Sequence, residues 1–301
     1  MIRRRLAATA AAVVTAAGVA LTNAPTASAT PHPVKGPPAN LLNQADWAML
    51  RSHALHPLTP QPGFSGFAGY SDSAINGNKF KITTTEFWVP RLDCVNSSYG
   101  TSNQDVLFLW TGIDGAFGNS VEQDGIVAWC NKGETAPHYA AWYLICCAGP
   151  NYTTVPLAGL SAGDHIFADV CAPGAGCTAP AGQYFFEVAD ITKKTSWTRT
   201  QACPSTLTCA NSTAEGIFEL GTTGGDTVPS QWQMPIFSWA STSGWDYALI
   251  QSAQGNGTLD PLAGKWTQNR FNLTDSNNTV LAQVGTLMNG QKFSVTYKNC
   301  C

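Results

Sequence analysis

The sequence predicts an all-β chain folded as a two-sheet antiparallel β-sandwich. Short β-branched and aromatic runs recur from Gly63 onward, Gly, Asn, Pro and Ser punctuate them, and no stretch there keeps a 3.6-residue apolar period over three turns. Without helices between them, such strands have no parallel crossovers, so the sheets must be antiparallel and packed face to face.

The chain begins differently. Arg3, Arg4 and Arg5 precede an apolar run from Leu6 to Leu21 and a small-x-small site at Ala27-Ser28-Ala29, so residues 1–29 read as a secretory signal peptide. The run is shorter than the roughly 20 residues a membrane span needs. Residues 30–62 hold Pro31, Pro33, Pro37, Pro38, Pro57, Pro60 and Pro62 around a brief helix-like patch, Leu41 to Leu55, and read as a linker or removable pro-segment. Residues 63–301 form the expected β domain, a size within the range of one all-β unit.

Within it the expected strands are Phe80 to Val89, Val106 to Trp110, Ile126 to Cys130, Tyr139 to Cys146, His165 to Val170, Tyr184 to Val188, Ile217 to Leu220 and Lys292 to Tyr297. Each combines β-branched or aromatic residues with a flanking turn signal. Most of the ten Trp and thirteen Phe are expected in the core or lining a cleft.

Only 12% of the 301 residues are charged, against about 25% in an average soluble protein. With 16 basic and 19 acidic side chains, there is no basic surplus to neutralise a phosphate backbone, which excludes nucleic acid as the partner. Polarity comes from Ser, Thr, Asn and Gln, and such a surface survives protonation of carboxylates. Ten cysteines in an exported chain point to disulfides. Cys171 with Cys177 and Cys203 with Cys209 can each close a short loop, whereas the spacing leaves the other six pairings open. Asn96, Asn151, Asn211, Asn256, Asn272 and Asn277 begin N-x-S/T triplets, which matter only in a glycosylating cell.

Gly159-Leu160-Ser161-Ala162-Gly163 matches the G-x-S-x-G nucleophile pattern, but the next residues alternate like a strand where that motif needs a helix. His138 and His165 are the only histidines past Gly63, which gives little support to a Ser-His-Asp triad or a multi-histidine metal site. No cofactor or metal is expected.

Five short motifs occur in order: Trp110 to Gly115 (W-T-G-I-D-G), Gln123-Asp124-Gly125, Ala141-Trp142-Tyr143, Gly163-Asp164-His165-Ile166 and Ala214-Glu215-Gly216-Ile217. Weaker echoes are Ala68-Gly69-Tyr70, Phe87-Trp88-Val89-Pro90 and Gly290 to Tyr297. In these the sequence resembles the eqolisin, or glutamic peptidase, family of secreted acid endopeptidases, from about Gly63 to Tyr297. The resemblance implies a lectin-like (concanavalin A-like jelly roll) sandwich whose concave sheet carries a catalytic glutamine and glutamate, here Gln123 and Glu215, acting on polypeptide substrates. It also implies Trp110 and Trp142 as cleft walls and Asp114 as a carboxylate orienting Gln123. The chain departs from the family pattern at Phe67 and Gly216, each in place of a tryptophan, and at Ala140 and Leu144, in place of carboxylates flanking the A-W-Y segment.

The chemistry suits these residues. One glutamate can take a proton from water and return it to the leaving nitrogen, and a glutamine amide offers N–H donors for an oxyanion that do not titrate away in acid. The expectation is a secreted, monomeric acid endopeptidase whose activity fades toward neutral pH and which pepstatin, aimed at a two-aspartate site, leaves untouched. Without the motif order, Glu215 reads as an exposed strand glutamate and Gln123 as a polar turn residue. The competing class is a non-catalytic carbohydrate-binding sandwich. A glycosidase would need a carboxylate pair about 5–9.5 Å apart, drawn from Asp114, Glu122, Asp124, Glu215 and Glu219.

Overall fold

A computed structural model describes residues 66–96, 104–115, 120–146, 153–155, 157, 159–220, 236–238, 247–254, 266–274, 278–287 and 292–298. The expected signal peptide at 1–29, the Pro-rich segment at 30–62, and Cys147, Cys300 and Cys301 lie outside them.

In chain order the strands are β1 (Phe67–Ala74), β2 (Ile82–Trp88), β3 (Arg91–Asp93), β4 (Gln104–Asp114), β5 (Val121–Asn131) and β6 (His138–Cys146). Next come β7 (Thr153–Val155), β8 (His165–Cys171), β9 (Gln183–Asp190), β10 (Thr195–Ala202), β11 (Thr213–Leu220) and β12 (Ile236–Ser238). The last are β13 (Tyr247–Gln254), β14 (Trp266–Phe271), β15 (Leu273–Thr274), β16 (Val280–Val284) and β17 (Lys292–Tyr297). Among the described residues there is no helix. Every pairing is antiparallel.

A seven-stranded sheet, β14-β1-β11-β4-β5-β6-β7, and an eight-stranded sheet, β10-β9-β8-β2-β13-β17-β16-β15, form the sandwich, with β12-β3 as a small third sheet. The alternation that marks a half-buried strand is clean in β2 and β9, where every second residue is buried. Leu107, Leu109 and Ile113 of β4, Ile126 and Ala128 of β5, and Phe218 of β11 form one apolar cluster with Phe87 of β2, Ile166 and Val170 of β8, and Phe186 of β9. Burying each large side chain contributes about 1.5–3 kcal/mol.

The strands β4, β5 and β11 lie at the centre of the seven-stranded sheet and are buried on both faces. Their second face carries its own apolar cluster, including Phe67, Phe108, Trp110, Trp129, Trp142, Leu144 and Ile217.

The eight expected strands are all present, and three run further than the sequence suggests. The polar and Gly-rich stretches Thr111-Gly112-Ile113-Asp114, Val121 to Gly125 and Thr213 to Gly216 look like turns, yet each is strand paired on both sides, which satisfies its backbone whatever its side chains. Strand β10 gave no signal because it is an edge strand with little buried surface. The two short disulfides form as the spacing suggests, Cys171–Cys177 and Cys203–Cys209, and a third, Cys94–Cys130, ties the end of β3 to the end of β5.

Candidate active site

Antiparallel pairing places directly opposed residues on the same face of a sheet. Strand β4 runs between β11 and β5, and its Gly112 pairs with Glu215 on one side and Gln123 on the other. The same row continues outward from Glu215 to Ser71 of β1 and Asn269 of β14, and from Gln123 to Leu144 of β6. One transverse row therefore reads Asn269, Ser71, Glu215, Gly112, Gln123, Leu144. The backbones bearing Glu215 and Gln123 stand two strands apart, about 10 Å. Their side chains share the face turned away from the second sheet.

Between them residue 112 contributes no side chain of its own, and the neighbouring Trp110 ring packs against it. A Cβ there would lie 3.0 Å from Cζ3 of Trp110, 3.1 Å from the Glu122 carbonyl oxygen and 3.3 Å from Cβ of Gln123. The row thus sets a carboxylate and an amide on one face, on either side of a position without a side chain.

Neither group is exposed as the isolated residues suggested. Glu215 is 0% and Gln123 is 3% exposed. The Ser71 hydroxyl donates to Glu215 Oε1 at 3.3 Å, and Thr111 Oγ1 donates to the Glu215 main-chain oxygen at 3.0 Å. Gln123 Oε1 is buried and accepts no hydrogen bond from the described residues. An amide left so in a buried site costs about 1–3 kcal/mol and marks a position where a further polar group belongs.

Trp110 and Trp142 stand in the next row of the same face, on either side of Gly125. A Cβ on Gly125 would sit 2.1 Å from the Leu109 carbonyl oxygen, so only glycine lets β4 and β5 approach there. Trp110 Nε1 donates to Glu219 Oε2 at 2.8 Å, and Trp142 packs edge-on against Phe108 with ring centroids 5.3 Å apart.

Asp114 ends β4 with a φ of 63°. Its Oδ2 accepts from the Asn211 backbone N–H at 2.6 Å, while Oδ1 accepts from Ser212 N–H at 2.6 Å and from the Ser212 hydroxyl at 2.9 Å. These bonds hold the segment that enters β11. The sequence reading had this carboxylate orienting Gln123; its described hydrogen bonds instead fasten the strand that bears Glu215.

The other acidic neighbours are divided by strand alternation. Glu122 and Asp124 flank Gln123 in sequence but share the parity of Ile126 and so face the second sheet, where both are fully buried. Burial pushes both carboxyls well above the usual range, with the Asp114 charge adding to the shift of Glu122 and the Asp169 charge to that of Asp124. Glu219 shares the Glu215 face but is four residues along β11, about 13 Å of strand, and is occupied by Trp110. Burial pushes it up to about 8. The five carboxylates considered for a glycosidase pair are thus spread over two faces and a strand end.

Ser161 lies in a turn that leads straight into β8, and its hydroxyl donates to Asp164 Oδ2 at 3.0 Å and accepts from Lys193 Nζ at 3.0 Å. Among the described residues His165 pairs with Glu86 and His138 with Glu134, so neither serves this serine. The one group of described side chains close enough to hold a metal, Asp169 with Cys171 and Cys177, has both sulfurs committed to a disulfide.

Sequence reasoning missed Ser71 and the place of Gly112, and named Glu219 only as a member of a possible glycosidase pair. Gly112 was visible as the glycine of W-T-G-I-D-G, but only strand pairing shows what its missing side chain does.

The molecule is thus an all-β sandwich that carries a buried glutamate and a buried glutamine in one row on either side of β4. The chain belongs to the Peptidase A4 family, whose model matches residues 65–297. The fold is similar to that of scytalido-glutamic peptidase, solved with a transition state analog inhibitor, at 16% identity and a TM-score of 0.55 over 77% of this chain and 98% of that one. It is also similar to SCP-B, a member of the eqolisin family solved with the tripeptide Ala-Ile-His, at 16% identity and a TM-score of 0.53 over the same shares. No curated protein matches the chain. The family assigns a peptide-bond hydrolase of the glutamic class.

Proposed function

We propose that the protein is a secreted endopeptidase that works in acid, with Glu215 as general base and then acid and Gln123 as the oxyanion donor. The observation that carries this reading is the transverse row in which Glu215 and Gln123 face each other across the side-chain-free Gly112. A water over that gap loses a proton to the Glu215 carboxylate as its oxygen attacks the scissile carbonyl carbon. The carbonyl oxygen becomes negative and takes N–H bonds from the Gln123 amide. The carboxylic acid then passes its proton to the leaving nitrogen, the C–N bond breaks, and the carboxylate is restored.

Secretion is supported by the leader-like residues 1–29 and by three disulfides among the described residues. Acid activity is supported by the amide donor, which keeps its protons at every pH, and by buried carboxyls that favour an acid-stable fold. The test is digestion of casein or haemoglobin from pH 3 to 8. Cleavage is expected between pH 3 and 5, lost toward pH 7, and unaffected by pepstatin. A profile flat from pH 4 to 8 would refute the mechanism.

The gap at Gly112 makes its own prediction. Gly112→Ala inserts a methyl group against Trp110 and Gln123, and a displacement of about 1 Å at a reacting group costs about 10²-fold in rate. The expected result is that loss in kcat/KM with circular dichroism unchanged. A variant with wild-type kinetics would show that this part of the row is not where reaction occurs.

A further inference from the structure

We propose that Ser71 is a positioning residue for Glu215, holding one carboxylate oxygen so that the group is aimed along the transverse row and kept ionised for its role as base. The proposal rests on the reading of Glu215 given above. Ser71 stands directly across from Glu215 in the β1–β11 pairing, both side chains have no exposure, and the hydroxyl donates to Oε1 at 3.3 Å. The main chain of Glu215 is fixed separately: Thr111 binds its carbonyl oxygen, and Asp114 clamps Asn211 and Ser212 just before β11. The Ser71 hydroxyl acts on a different degree of freedom, the rotation of the carboxylate itself.

A hydroxyl donating to a carboxylate stabilises the charged form over the acid. It also makes the two oxygens unequal, because the engaged Oε1 becomes the weaker base and the proton taken from water goes to Oε2. Among the described residues the titratable groups on this face besides Glu215 are Glu219, four residues along β11 and bound to Trp110, and His138, at the far end of β6 and paired with Glu134, whereas Asp114 interacts with Glu122 of the opposite face. On that face β1, β5 and β14 present Phe67, Ser71, Ser73, Gln123, Thr267 and Asn269 among others, and none that titrates.

The experiment compares pH–rate profiles of the full chain with Ser71→Ala, Ser71→Cys and Ser71→Thr. Ser71→Ala is expected to move the acid limb of kcat upward by about one pH unit, so that kcat on that limb falls up to about tenfold while KM stays put. Ser71→Thr restores a hydroxyl and the wild-type limb, and Ser71→Cys, a weaker donor, falls between them. Thermal melts at pH 4 check that each variant folds; should Ser71→Ala fail to fold, the Thr and Cys variants decide the matter by their different limbs. An unmoved limb in Ser71→Ala, or an equal loss at every pH in all three variants, overturns the proposal and leaves the Glu215 reading standing. Wild-type activity that survives Glu215→Gln overturns that reading and this proposal together.

Discussion

Glu215→Gln is expected to lower kcat by about 10²–10⁴-fold, the contribution of a positioned general base and acid, without unfolding the protein. The substitution keeps the volume and an oxygen to accept from Ser71, and it removes only the capacity to take and return a proton. Gln123→Ala is expected to cost about 10²–10³-fold, the loss of one set of oxyanion donors. Because both act in one tetrahedral transition state, the double variant is expected to be little worse than Glu215→Gln alone. Steady-state hydrolysis of a protein substrate at pH 4, with melting curves for all four proteins, measures this. Equal digestion by the wild type and both single variants would remove the pair from the mechanism, and oligosaccharide binding without digestion would favour the carbohydrate-binding reading.

Stability is expected to fall steeply as pH rises from 4 to 8, the reverse of ordinary acid denaturation. Burial pushes Asp105 and Asp169 up to about 7 and Glu219 up to about 8, the Glu187 charge adding to the effect on Asp169. Glu122 and Asp124 are raised as well, again mainly by burial. In each case the folded pKa exceeds the unfolded one, so the native state holds protons that the unfolded chain releases. The stabilisation is therefore complete below about pH 4, the range in which free carboxyls titrate, and is lost as pH climbs through the folded values. Each such group removes up to about 1.4 kcal/mol per pH unit between its two pKa values. A few of them acting over three units match a typical total stability of about 5–15 kcal/mol. Thermal melting at each pH from 3 to 8 is expected to give a Tm that drops through neutrality, with a shallower slope in Asp105→Asn and Glu219→Gln. A Tm that is level or rises over that range contradicts the assignment.

If the protein works in acid as proposed, the low charge content and the buried carboxyls serve one end. Few surface ion pairs means little to lose in acid, which the composition announced. Interior carboxyls mean something to lose outside acid, and composition was silent there because a count of Asp and Glu does not say which are buried.

Much of the fold was legible because β2, β8, β9 and β17 carry apolar alternation or dense β-branched runs. The strands that carry the proposed catalytic pair were harder. Gln123 and Glu215 sit in stretches full of Gly, Asp and Thr, whose own preferences favour turns, and pairing on both edges overrides them. The motif order identified these two residues, and register then showed that they face each other. The sequence offered Asp114 as a carboxylate orienting Gln123, but its hydrogen-bond partners, Asn211 and Ser212, are 97 and 98 residues away in sequence. No local pattern encodes such a bond.

The register itself has an evolutionary consequence. A one-residue slip of β5 against β4 would turn Gln123 toward the second sheet and bring Glu122 or Asp124 to the place beside Gly112. The amide would then be exchanged for a carboxylate with no base of the coding sequence substituted at that position, and the pair would become two acids facing each other. Single-residue insertions or deletions within β4 or β5 are therefore a short route between two chemistries, whereas length changes in the connection between those strands leave the facing parity of each strand to be set by its neighbours.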